Sequence, residues 1–298
     1  MNTLPRRVSI VEVGPRDGLQ NEQAIVATAD KIALVDRLTA AGHSTIEVSA
    51  FVSPRWVPQM ADAAEVFAGI ARKPGVRYTA LVPNQAGLDR AMAAGVSEIA
   101  IFAAASETFS ARNINQSIDQ SLKTYAAVCA AAGAAGIRVR AYLSTCFGCP
   151  FEGAIAPSQV ARVAARLFEL GVFEVSISDT IGVAHPGQVP LVLDAVTKEI
   201  PLGQTALHFH DTRGTALANV LAGLDYGVAT FDSSAGGLGG CPFAPGAAGN
   251  LATEDLLYLL DGLGIESGVS LDRVVDSSRL IETHLNHRLP SRYLQAVK

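Results

Sequence analysis

What this 298-residue chain lacks removes most of the specialised protein classes. It has only four cysteines, at positions 129, 146, 149 and 241. That is too few in a chain of this length for a disulfide framework, so reduced thiols in a cytoplasmic protein are expected. Runs of acidic or basic residues are absent and the net charge is only −5, so no electrostatic footprint for nucleic acid or an anionic membrane is visible. No stretch of 18 apolar residues occurs, and "MNTLPRRVSIVEVGPRDG" enters strand-like sequence by residue 8 without an apolar stretch of secretory length. The chain therefore reads as soluble and unprocessed. What is present is 49% hydrophobic sequence, enough for a large core, with a small molecule as the default partner.

Eight short β-branched runs recur along the chain: residues 7–13, 44–51, 76–82, 97–104, 137–144, 172–179, 204–211 and 227–234. Between them lie Ala- and Leu-rich segments of helical period, such as "ADKIALVDRLTAAG", "PSQVARVAARLFELG" and "GTALANVLAGLDYG", closed by a glycine placed for a left-handed C-terminal cap. Eight βα units with short connections and no biased linker predict one α/β domain, a (β/α)8 TIM barrel, in preference to a doubly wound sheet. The barrel is expected over about residues 6–262. "TEDLLYLLDGLG" reads as its closing helix, and about 263–298 as a C-terminal helical extension covering a barrel end or an oligomer interface.

In such a barrel the active site lies at the C-terminal ends of the strands. Arg16 and Asp17 follow strand one, Glu47 sits in strand two, Asp179 ends strand six, and His208 and His210 end strand seven. The two histidines are two residues apart, so they share a face at the mouth. With Asp17 as a carboxylate and Asn250 as a neutral oxygen they suit an octahedral divalent ion such as Mg²⁺, Mn²⁺ or Co²⁺ better than closed tetrahedral zinc. A non-haem Fe(II) triad uses the same ligand types and stays open. Arg16 beside Asp17 is either a turn ion pair or a guanidinium that holds a carboxylate or steadies a developing enolate. Glu47 is read as a buried support for Arg16. Cys146 and Cys149 form a C-x-x-C with no second Cys/His pair at zinc spacing, so they are taken as structural, and Cys129 as a packed helix residue.

The stretches "VEVGPRDGLQNE", "FVSPRWVPQM", "GCPFEG", "SDTIGVAHPG", "HFHDTRGTALANVLAGL" and "GGLGGCPFAPGAAGNLATEDLLYLLDGLG" together resemble the 3-hydroxy-3-methylglutaryl-CoA (HMG-CoA) lyases, TIM-barrel metallolyases, over about residues 6–288. The resemblance implies retro-Claisen cleavage of a 3-hydroxyacyl-CoA to acetyl-CoA and a β-keto acid, acetoacetate for the type substrate. It implies that Asp17, His208, His210 and Asn250 bind the cation, with Mg²⁺ or Mn²⁺ favoured, and that Arg16 neutralises the enolate while Glu47 holds Arg16. Asp179 is expected near the metal and the substrate hydroxyl, and Asp17 or Asp179 would be the base. Cys241 matches the family's catalytic cysteine, and a thiol with an ordinary pKa near 8.5 is suited to protonating the enolate carbon. A homodimer through the C-terminal helices is also implied.

Relative to the family, the chain departs at Gln23, Ser144, Thr145, Arg213 and Thr215, positions expected near the mouth. A paralogue acting on a differently substituted 3-hydroxyglutaryl-CoA is therefore an alternative, as is a Claisen-type synthase or aldolase of the same superfamily. A catalytically silent acyl-CoA-binding barrel fits less well, because the ligand set is complete. No phosphate-binding motif places the CoA tail; Asn84 and the loop after strand five are the candidates. The run from Gly236 to Gly249 reads as a mobile lid that would carry Cys241 to the enolate.

Overall fold

The computed structural model describes residues 4–240 and 249–297. Its eight strands, β1 (Ser9–Glu12), β2 (Thr45–Ala50), β3 (Arg77–Leu81), β4 (Glu98–Ala104), β5 (Arg138–Ser144), β6 (Glu174–Asp179), β7 (Thr205–Phe209) and β8 (Thr230–Ser233), each fall within one of the runs picked out by β-branched content. All pair in parallel and in sequence order, and β8 closes on β1, so the barrel is complete. Closure removes every open edge, which is why short strands suffice.

The helices are α1 (Thr28–Ala41), α2 (Ala63–Gly69), α3 (Gln85–Ala93), α4 (Glu107–Ile114), α5 (Ile118–Ala134), α6 (Pro157–Glu169), α7 (Val189–Val196), α8 (Ala216–Tyr226), α9 (Thr253–Gly262), α10 (Leu271–Leu285) and α11 (Arg292–Ala296). The glycine stops act as expected: Gly42 after α1 and Gly227 after α8 hold φ of 106° and 107°, a backbone closed to most side chains. One continuous apolar cluster joins the strands to the helix ring. No helix among the described residues is long and apolar enough to cross a membrane.

The C-terminal extension does more than cap an end. Glu254 at the start of α9 accepts Gly236 N at 2.8 Å and the Ser278 hydroxyl of α10 at 2.5 Å. Asp255 accepts Ser291 Oγ and Tyr293 N, which anchors α11. The extension is thus fastened to the chain that leaves β8.

Candidate metal centre at the barrel mouth

Immediately after β1 the backbone winds into a wide π-type turn, Gly14–Gly18, in which the amides of Arg16, Asp17 and Gly18 all converge on Val13 O. Such turns re-aim side chains and recur at functional sites. Here the turn throws Arg16 and Asp17 over the barrel end. Arg16 donates from Nε to Glu47 Oε2 at 2.5 Å and from Nη1 to Asp17 Oδ1 at 2.7 Å. Its guanidinium also stands 5.4 Å from the Tyr142 ring, whose hydroxyl donates to Glu47 Oε2 at 3.2 Å. Burial pushes the Glu47 carboxyl up and Arg16 opposes that shift. Glu47 thus accepts hydrogen bonds from both Arg16 and Tyr142.

Asp17, His208 and His210 bring one potential ligand atom each within 4.8 Å of one another. Burial alone would raise the Asp17 pKa, but Arg16, His208, His210 and the Asn250 amide outweigh it and hold the carboxyl at about 2. His210 is lowered to about 4, first by burial and then by His208, so at neutral pH its imidazole is uncharged and keeps a lone pair for a cation.

Asn250 reaches this cluster because the chain returning from the β8 loop runs alongside the end of β7. Leu251 N donates to Phe209 O and Asp211 N to Gly249 O, so His210 and Asn250 form an isolated bridge. The two legs of the loop touch, and a side chain at Gly249 would strike the Gly239 carbonyl, while Gly239 itself sits at φ 117°. Glycine at both positions permits that approach. The Asn250 amide nitrogen donates to Asp17 Oδ2 at 2.9 Å and to Leu238 O at 3.2 Å. Among the described residues its buried Oδ1 has no hydrogen-bond partner. An orphaned buried acceptor is costly; beside a carboxylate and two imidazoles it fits a cation. Oxygen and nitrogen donors of this kind suit a six-coordinate divalent ion.

Asp179 lies at the end of β6, where its Oδ1 accepts Val183 N at 3.0 Å and its Oδ2 accepts Ala184 N at 2.9 Å. Burial raises its pKa against those two bonds. It therefore shapes the β6 loop from beside His208. Arg213 and Thr215, taken from sequence as rim departures, brace the same loop. Arg213 Nη1 donates to Ile181 O and Gly182 O, and Thr215 Oγ1 to Ala184 O. Thr145 N likewise donates to Thr180 Oγ1, while Gln23 is exposed.

The Asn84 side chain, a sequence candidate for the CoA tail, accepts Gly87 N at 3.0 Å and caps α3. Cys146 donates to Leu143 O, and Cys149 lies 3.0 Å from Ser106 Oγ; both are free and buried, in keeping with a structural reading. Cys129 is buried in α5 and its thiol is pushed up to about 11 by that burial. Cys241 and most of the run read as a lid lie outside the described residues.

Sequence reasoning missed four buried groups behind the mouth. Tyr142 supports Arg16 and Glu47, while Asp232 stands behind His208. Glu12 accepts Gly14 N, Ala235 N and the Thr253 hydroxyl, and Glu254 holds Gly236. The available signal was a charged residue inside an otherwise apolar strand run, as in "VSIVEV" and "VATFDSS".

Fold and site together define a TIM-barrel protein with a candidate divalent-cation centre at the C-terminal mouth. The HMGL-like family profile matches residues 7–281, and the chain belongs to that family. Among curated relatives, the mitochondrial hydroxymethylglutaryl-CoA lyase of Pongo abelii is 53% identical over 99% of this chain and 91% of its own. The crystal structure of hydroxymethylglutaryl-CoA lyase from Pseudomonas aeruginosa superposes with a TM-score of 0.97 at 54% identity, over 98% of both chains. An HMG-CoA lyase from Acinetobacter baumannii, in complex with coenzyme A and 3-methylmalate, superposes with a TM-score of 0.94 at 38% identity, over 100% of this chain and 97% of that one.

Proposed function

We propose that the protein is a divalent-metal-dependent carbon–carbon lyase that cleaves HMG-CoA to acetyl-CoA and acetoacetate. The observation that carries this reading is the convergence of Asp17, His208 and His210 with the buried Asn250 side chain at one barrel mouth, in a chain about half identical to hydroxymethylglutaryl-CoA lyases. The coenzyme A and hydroxydiacid held by the relative from Acinetobacter baumannii are of the chemical kind this substrate combines.

Asp17, His208, His210 and Asn250 would hold the cation, Mg²⁺ or Mn²⁺ by donor type. When bound, it would supply Lewis acidity that lowers the pKa of the substrate's 3-hydroxyl. Asp17 or Asp179 would accept the hydroxyl proton; Asp17 already accepts from Arg16 and Asn250, and Asp179 from two loop amides. Arg16, aimed by Glu47 and Tyr142, stabilises negative charge on the thioester oxygen as the C2–C3 bond breaks. Cys241 delivers a proton to the enolate carbon. Arg213 and Thr215 bind backbone carbonyls of the β6 loop, so their departure from the family pattern is absorbed in loop bracing and does not by itself argue for another acyl group.

The test is acetyl-CoA release from a panel of 3-hydroxyacyl-CoA thioesters with Mg²⁺ or Mn²⁺, HMG-CoA being expected to react fastest. Release from none of them contradicts the lyase reading. Cys241→Ala should slow turnover by roughly a hundredfold or more, the usual contribution of a positioned acid. A homodimer through α10 and α11 belongs to the same reading and is checked by sedimentation. Cytoplasmic placement, expected from the scarcity of cysteine, belongs to the same reading and is checked by fractionation.

A further inference from the structure

We infer that Asp232 is a positioning residue for His208, held in place by Arg140 and Ser176, and that it fixes the imidazole tautomer that leaves Nε2 free for the cation. The inference rests on the metal-centre reading above.

Asp232 in β8 and His208 in β7 are register partners on neighbouring parallel strands, so their side chains project to the same side of the sheet. Both are buried, and Asp232 Oδ2 lies 3.3 Å from His208 Nδ1. The approach is close but not aligned as a full hydrogen bond. The same oxygen accepts Ser176 Oγ at 2.7 Å, and the other accepts Arg140 Nη2 at 2.8 Å. Arg140 is itself tied to Glu174 through Nε at 2.6 Å. A buried carboxylate is expensive unless paired. Arg140 and Ser176 provide that pairing without any histidine; Oδ2 accepts Ser176 Oγ and, at 3.4 Å, Arg140 Nη1, and it still lies within 3.3 Å of Nδ1.

A carboxylate facing Nδ1 favours the proton there, which leaves the Nε2 lone pair for a metal. This is the carboxylate–histidine–metal relay in which the carboxylate orients the ring and raises its basicity. Among the described residues no carboxylate stands against His210 Nδ1 as Asp232 does against His208 Nδ1. The two histidines are therefore unequal: a carboxylate orients His208 before a cation arrives, and His210 is placed without one.

Two measurements on the full chain test this. In metal-free, ¹⁵N-histidine-labelled protein, long-range ¹H–¹⁵N spectra, with His208 assigned by its loss in His208→Gln, should show His208 protonated on Nδ1. Protonation on Nε2 overturns the inference. Mn²⁺ affinity read by electron paramagnetic resonance should fall 10- to 100-fold in Asp232→Asn. It should fall by less in Ser176→Ala, which keeps every charge and so covers the case in which Asp232→Asn fails to fold. His208→Ala separates the two levels: if it leaves Mn²⁺ affinity unchanged, the metal centre itself is wrong. If it weakens Mn²⁺ while Ser176→Ala and a folded Asp232→Asn do not, Asp232 is structural only and the inference fails.

Discussion

The barrel mouth and the layer beneath the β8 loop both bury carboxylates, and they treat them in opposite ways. At the mouth, Asp17 is held at about 2 because Arg16, His208 and His210 surround it with positive or potentially positive charge, overcoming burial. Beneath the loop, Glu12 and Glu254 are each pushed up to about 7, because burial there is opposed by hydrogen-bond donors and not by a nearby guanidinium. One carboxylate belongs to the proposed cation site. The other two tie backbone: Glu12 holds Gly14, Ala235 and Thr253, and Glu254 holds Gly236 and Ser278. The difference teaches that burial alone does not mark a reactive acid, since the nature of its partners decides the outcome.

Four substitutions break or sharpen that contrast. Asp17→Asn should abolish cation binding and lower acetyl-CoA release by on the order of a thousandfold, because the only carboxylate among the proposed ligands is lost; isothermal titration with Mn²⁺ and a coupled assay check both. Arg16→Lys should cost about a hundredfold in kcat while leaving Mn²⁺ affinity close to wild type, since a point charge cannot span Glu47 and Asp17 as the guanidinium does.

The third concerns stability. Glu12 moves from an ordinary value of 4.5 to about 7, so the folded state binds the extra proton between those values. Stability from this group is full below about 4.5 and is lost as pH rises through 7, a swing of about 3 kcal/mol at most. Thermal melts from pH 5 to 8 should therefore show a flatter decline in Glu12→Gln than in wild type. Equal slopes would mean that its hydrogen bonds already keep Glu12 ionised. The smallest effect belongs to Cys149→Ser, which keeps a hydrogen-bonding group beside Ser106 and should change activity little and stability by about 1 kcal/mol or less.

The fold was legible because the signals were local and repeated. Each β-branched run became a strand, and Gly42 and Gly227 stopped helices where their lack of a side chain permits a left-handed turn. The ligand candidates were legible for a related reason: His208 and His210 share strand parity, and Asp17 follows a strand. Asn250 joins them only through the return of the β8 loop beside β7, a long-range pairing that residue spacing does not encode. Asp232 and Tyr142 were missed because a lone polar residue in a strand run declares its direction only once the barrel closes and register sets which neighbour it faces. Arg213 and Thr215 were expected near the mouth, and they lie against the loop that follows β6; what spacing could not tell is that their donors bind carbonyls of that loop.

The most direct test of the account titrates Mn²⁺ into metal-free protein while following, in one experiment, cation binding and acetyl-CoA release from HMG-CoA. Both should rise together and saturate together in the wild type, and both should be lost together in His208→Ala. Full acetyl-CoA release from chelator-treated protein, or a His208→Ala variant that binds and cleaves as the wild type does, would contradict it.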